Sequence, residues 1–162
     1  MSFNAEDTAT LDEIRAHYPD ARAASVSVMK WVQRRDGYIS DDALHDAAEY
    51  LELPAADLEA LATFYNLLFR QPVGRNVIKI CDSVACWMGG YESVRDRIRE
   101  RLGIELGHST EDGEFTLLPV VCLGNCDNAP TLMVNDELHD RVSAESVDGI
   151  LEASRDNGGD IG

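Results

Sequence analysis

A chain of 162 residues, 44% hydrophobic and 27% charged, has apolar material for one ordinary globular domain or two small ones and is neither a disordered tail nor a fibre. Its 30 acidic and 14 basic residues give a net charge of −16, which repels phosphate backbones and anionic lipid and so argues against nucleic-acid or membrane-surface roles. No apolar run approaches the roughly 20 residues needed to cross a bilayer, and no basic-then-apolar leader opens the chain, so a soluble intracellular protein without membrane insertion is expected.

Residues 1–74 read as four short helices. Thr10 and Glu13 form a capping-box pattern for the first, which Pro19 must end because proline lacks the N–H and clashes with the preceding turn. Over residues 22–35, Ala24, Val28, Trp31 and Val32 fall on one helical face, and Gly37 supplies a left-handed stop. Ser40 caps a third helix with Asp41 and Asp42 in its first turn and Leu44, Ala47, Ala48 and Leu51 on its apolar stripe. Pro54 opens a fourth, which carries Leu58, Leu61, Ala62 and Tyr65 toward Phe69; of Phe64, Tyr65 and Phe69, at least two are expected in the core.

Gln71-Pro72-Val73-Gly74 breaks this pattern, and the periodicity changes after it. A short strand over 76–80 ends at Cys81. A helix over 91–102 follows, and then a long apolar strand over 115–121 that reads as buried on both faces. Strands over 131–134 and 138–142 form a hairpin through Asn135-Asp136, and Ser143 caps a closing helix with Val147, Ile150 and Leu151 inward. The expected class is α+β: a helical bundle over 1–74, an α/β domain over 75–155 with helices on a small mixed sheet, and a disordered polar tail over 156–162. Arg95, Arg97, Arg99 and Arg101 alternate with acids and predict a solvated helix face with local pairs.

With no leader in evidence, four cysteines point to thiolate or metal chemistry rather than a disulfide framework. Cys81 and Cys86 form C-x4-C, Cys122 and Cys126 form C-x3-C, and 35 residues separate the pairs. Each pair follows a predicted strand, so loops leaving neighbouring strand ends can present four thiolates to a single point. Structural zinc usually uses a tighter C-x2-C knuckle, redox dithiols want C-x-x-C, and plant-type ferredoxin or Rieske spacing is absent. An iron–sulfur cluster, zinc and uncommitted buried thiols all remain open on spacing alone. His17, His45, His108 and His139 are scattered and are assigned no metal role.

The strings Cys81-Asp82-Ser83-Val84-Ala85-Cys86, Phe115-Thr116-Leu117-Leu118-Pro119 and Cys122-Leu123-Gly124-Asn125-Cys126, with Ala129-Pro130, resemble the small [2Fe-2S] subunit of NADH:quinone oxidoreductase (respiratory complex I). Ala62-Thr63-Phe64-Tyr65 and Phe69-Arg70-Gln71-Pro72-Val73-Gly74-Arg75 extend the resemblance over residues 10–155. It implies a thioredoxin-like domain holding one [2Fe-2S] cluster through Cys81, Cys86, Cys122 and Cys126, behind a helical domain that docks on a flavin subunit. That partner would bind FMN and NADH, further iron–sulfur subunits would adjoin it, and the assembly would sit in a peripheral arm on the cytoplasmic face of the inner membrane.

Related diaphorase subunits of NAD-linked hydrogenases and formate dehydrogenases share these motifs, and a zinc-stabilised interaction module and a free-standing ferredoxin are the competing readings. The chain has no G-x-G-x-x-G after a strand and no P-loop, so hydride chemistry is expected on another chain and no complete active site on this one. Asp82 and Asp127, each beside a cysteine, either lower a cluster's potential or cap local turns. Trp87 and Met88 either shield the cluster or pack against core or partner.

Overall fold

Asn4 starts the first helix, α1 (Ala5–Ala16): its side chain accepts from the Glu6 and Asp7 N–H groups while Asp7 accepts from the Asn4 N–H. This reciprocal pair satisfies donors that a helix start otherwise orphans. The expected Thr10 start is thereby corrected; Thr10 lies inside the helix with its hydroxyl on the Glu6 carbonyl. The computed structural model describes residues 3–157 and falls into two compact units, Met1–Pro72 and Val73–Gly162.

In the first unit, Asp20 caps α2 (Ala21–Asp36), which stops at Gly37 with φ +83°. Ser40 caps α3 (Asp41–Leu51) through the Ala43 N–H, and α4 (Ala55–Phe64) follows Pro54. Leu11, Val28, Met29, Val32, Leu44 and Leu58 meet in one core, with Trp31 only partly buried at its side. Tyr50 donates to Asp12 at 2.7 Å, and burial together with that carboxylate pushes its hydroxyl up to about 12.

The fourth helix does not run on to Phe69. It ends at Phe64, and Tyr65 is extended. Buried Gln33 on α2 holds the segment that follows: its Nε2 donates to the Leu67 carbonyl at 3.0 Å and its Oε1 accepts from the Phe69 N–H at 2.7 Å. Once the chain has left the helix, those bonds satisfy two backbone groups that would each cost about 1–3 kcal/mol if buried unpaired. The expectation that two of the three aromatics are core is corrected with it. Phe69 is buried at 8% exposure, whereas Phe64 is 79% and Tyr65 42% exposed. Arg70 holds the same segment, ion-paired to Asp41 at 2.6 Å and Glu59 at 2.9 Å.

The second unit is a five-stranded sheet in the order β2-β3-β1-β4-β5, made of β1 (Asn76–Cys81), β2 (His108–Ser109), β3 (Phe115–Val120), β4 (Leu132–Val134) and β5 (Glu137–His139). Around it lie α5 (Val84–Gly89), α6 (Tyr91–Leu102) and α7 (Ala144–Asn157). Central β1 is buried along its whole length and runs parallel to β3, with Cys81 opposite Val120. Parallel strands need a crossover, which α6 supplies. Their C-terminal ends therefore share one edge of the sheet.

Several expectations are corrected here. Helix α5 and the edge strand β2 were not foreseen. Strand β3 loses its double burial at Leu118 and Pro119. Strand β5 is Glu137–His139 rather than 138–142, because Asn135 at φ +51° makes the turn and pairing resumes at Val134 opposite Glu137. Gly74 belongs to the second unit, donating to Thr116 Oγ1 at 2.6 Å. Asp156 and Asn157, placed in the tail, still lie in α7; residues 158–162 fall outside the described residues. The arginine run is not merely a solvated face. Arg97 at 2.5 Å and Arg101 at 3.0 Å both reach Asp148 on α7, beside the expected local pairs such as Arg97–Glu100 at 2.8 Å.

Candidate metal centre

The shared edge of β1 and β3 carries the cysteines. Cys81 is the last residue of β1, and the Asp82 N–H donates to the Val120 carbonyl at 3.0 Å, tying the two strand exits together. Cys122 follows β3 by two residues. Cys86 lies on α5 and Cys126 opens a 3-10 turn, Cys126–Asn128, so neither second cysteine sits in the open loop that the sequence suggested. Cys81 and Cys86 are buried at 2% and 1% exposure, whereas Cys122 and Cys126 are exposed.

The sulfurs come in pairs. Cys122 Sγ and Cys126 Sγ are 3.7 Å apart. Two thiolates on one tetrahedral metal with bonds of about 2.3 Å stand about 3.8 Å apart, so this pair suits one metal. Cys81 and Cys86 act on each other electrostatically, each shifting the other's thiol. Among the described residues no three Cys, His, Asp or Glu side chains gather as ligands of one ion. The thiols fall into two pairs, Cys81 with Cys86 and Cys122 with Cys126. A diiron centre bridged by sulfides can use that division, with one pair of thiolates for each iron.

Polar groups flank the sulfurs. Ser83 Oγ lies 3.2 Å from Cys81 Sγ, and the Gly124 N–H donates to Cys122 Sγ at 3.3 Å. Gly124 has φ +78°, a conformation that L side chains resist and that turns its N–H back on the thiol. Burial works to raise the Cys81 thiol, but hydrogen bonds from the Ser83 side chain and from the Ser83 and Leu123 backbone outweigh it and hold Cys81 below the ordinary thiol range. The Leu123 contribution crosses from the second loop to the first. Burial, then Cys81 itself, pushes Cys86 up. Cys122 chiefly, with smaller contributions from burial, Cys81 and Asp127, pushes Cys126 up.

The Asp127 charge is the smallest of these contributions to Cys126, and neither Asp127 nor Asp82 caps a turn with its side chain among the described residues. Neutralising it with Asp127→Asn is expected to raise the midpoint potential of a bound cluster by tens of millivolts, roughly 1 kcal/mol for one electron. A redox titration that returns the native potential removes that role.

Trp87 and Met88 are not core residues. They are 52% and 86% exposed, with Trp87 stacked on Tyr91, and Val84 and Val121 are similarly bare at 75% and 77%. An exposed apolar rim thus borders the cysteines. The Ser83 hydroxyl and α5 are what sequence reasoning missed. The signal for them was faint: a serine ahead of six helical residues closed by Gly90.

A family model described as thioredoxin-like [2Fe-2S] ferredoxin matches residues 11–155. The E subunit of the NADH-quinone oxidoreductase of Pseudomonas aeruginosa is 53% identical over 137 residues, 85% of this chain and 82% of that protein. Its namesake from Escherichia coli K12 is 43% identical over 152 residues, 94% of this chain and 92% of that one. Among solved structures, an NAD+-reducing [NiFe]-hydrogenase in the air-oxidised state aligns over 79% of this chain with a TM-score of 0.68 at 23% identity, a likeness of fold. The chain spans only 22% of that longer hydrogenase polypeptide.

Proposed function

The chain belongs to the thioredoxin-like [2Fe-2S] ferredoxin family, and from that premise we propose that it is an iron–sulfur electron-transfer subunit of an NADH-oxidising complex. Cys81, Cys86, Cys122 and Cys126 would hold one [2Fe-2S] cluster, one pair of thiolates from each strand exit. The observation that carries this reading is the placement of two thiol pairs at the adjoining exits of parallel β1 and β3, one of them with its sulfurs 3.7 Å apart.

A bound [2Fe-2S] centre supplies one-electron storage between a two-electron flavin and further single-electron carriers. The residues of this chain do the rest. Buried Cys81 at the end of β1 and buried Cys86 on α5 would anchor one side, and the Gly124 and Leu123 N–H groups would offset the negative charge of the thiolates. The rim of Val84, Trp87, Met88 and Val121 excludes water once a partner covers it. Such exclusion strengthens the electrostatics within.

FMN and NADH belong to that partner, and further iron–sulfur subunits continue the path. The lack of a nucleotide-binding glycine motif supports this assignment, as do relatives named as subunits of NADH-quinone oxidoreductase. No helix among the described residues is long and apolar enough to cross a membrane. A peripheral arm on the cytoplasmic face, as expected of such bacterial subunits, is compatible with that. The helical unit Met1–Pro72 is the docking domain.

Electron paramagnetic resonance of the dithionite-reduced chain, with iron and acid-labile sulfide measured on the same sample, tests the proposal. A rhombic one-electron signal with two irons and two sulfides per chain is expected. A colourless, zinc-loaded chain would mean an interaction module instead, because zinc thiolates absorb only in the ultraviolet.

A further inference from the structure

Ser83 stands immediately before α5, where a serine ordinarily caps the helix by accepting from a first-turn N–H. It has the extended backbone of a cap, φ −72° and ψ 165°, yet its side chain makes no capping bond. The hydroxyl oxygen instead lies 3.2 Å from Cys81 Sγ, in a half-buried position beside a thiol that is only 2% exposed. A local rule broken in this way marks a residue committed to something else. Between a hydroxyl and a thiol either atom can donate, but a thiolate has no proton to give. Once Cys81 is a ligand, the direction is settled: Ser83 O–H donates and sulfur accepts.

We infer that the Ser83 hydroxyl is a positioning residue that sets the reduction potential of the centre by donating a hydrogen bond to the Cys81 thiolate. Reduction adds one electron and breaks no bond, so the centre becomes more negative. A donor on a ligand sulfur stabilises the reduced state more than the oxidised one, and shielding from water enlarges that difference. Exposed Cys122 takes its donor from the backbone of Gly124, which no side-chain change removes; Cys81 takes one from a side chain, which makes Ser83 the adjustable part of the shell.

The inference rests on the reading of the cysteines as cluster ligands, and the experiment keeps the two apart. Redox titrations of the full-length loaded chain, followed by paramagnetic resonance, compare native protein with Ser83→Ala and Ser83→Thr at equal iron and sulfide content. Ser83→Ala is expected to lower the ratio of reduced to oxidised chain about tenfold at fixed potential, a fall of about 59 mV for one electron, with loading unchanged. Ser83→Thr keeps the hydroxyl and should stay within about twofold of native. A native potential in loaded Ser83→Ala, or a Ser83→Thr value as low as that of Ser83→Ala, overturns the role. Should Ser83→Ala fail to load, Ser83→Gly carries the same two outcomes, since glycine also accepts this backbone. A native chain that holds no cluster defeats the ligand reading itself, before any variant is compared.

Discussion

Replacing Cys122 by Ser, or Cys81 by Ala, should abolish or grossly alter the visible absorption of the loaded chain and release much of its iron. Each iron of a four-cysteine centre has two protein ligands, so losing one strips half of its protein attachment. The bland alternative has a different signature. A cysteine that is only a small buried side chain would cost about 1–3 kcal/mol of stability when made polar, and the spectrum would not change. Exposed Cys122 makes the sharper case. Little core packing is lost there, so a bleached Cys122→Ser chain that still melts cooperatively near the native temperature points to ligation alone. An unaltered spectrum in any one of the four single variants removes that residue from the ligand set.

The second large effect is expected at Gly74→Ala, with a loss of about 3 kcal/mol measured by urea unfolding. A Cβ built on Gly74 would stand 2.7 to 2.9 Å from backbone atoms of Phe115, closer than side chains tolerate. Backbone cannot swing aside as a flexible side chain does. The strand would have to shift, and with it the Gly74 N–H bond to Thr116 and the start of the β1–β3 pairing. Gly149→Ala is the matched control: this glycine lies within α7 with nothing inside 4 Å of its would-be Cβ. There alanine should stabilise by about 0.5–1 kcal/mol, because it restricts the unfolded chain and favours the helix. Equal effects at the two glycines would mean that the close approach at Phe115 is not rigid.

Much of the helical unit was legible because its signals are local. Asp41 and Asp42 behind Ser40, the stop at Gly37 and the stripe of Leu44, Ala47 and Leu51 all act within a turn or two of chain. The first cap was misplaced because Asn4 with Asp7 competes for the same role as Thr10 with Glu13 and lies where helix formation can begin sooner. The end of α4 was misjudged for another reason. Nothing near Phe64 in sequence announces that an amide on α2, Gln33, will take the Leu67 and Phe69 backbone groups.

At the centre the same division holds. Cysteine number and spacing were enough to pick out the four thiols and, by resemblance, the family. Spacing along the chain says which donors are near one another in sequence, and hydrophobic period says which segments pair. Neither says how sulfurs group in space, nor which hydroxyl turns away from a helix end toward a thiol. Those were decided by the parallel pairing of β1 and β3, which puts two distant exits at one edge, and by α5 and the turn at Cys126, which fold each pair onto itself. Local propensities act over a few residues, whereas the shape of the metal centre depends on contacts spanning some forty residues of chain, and only packing of the whole second unit selects among them.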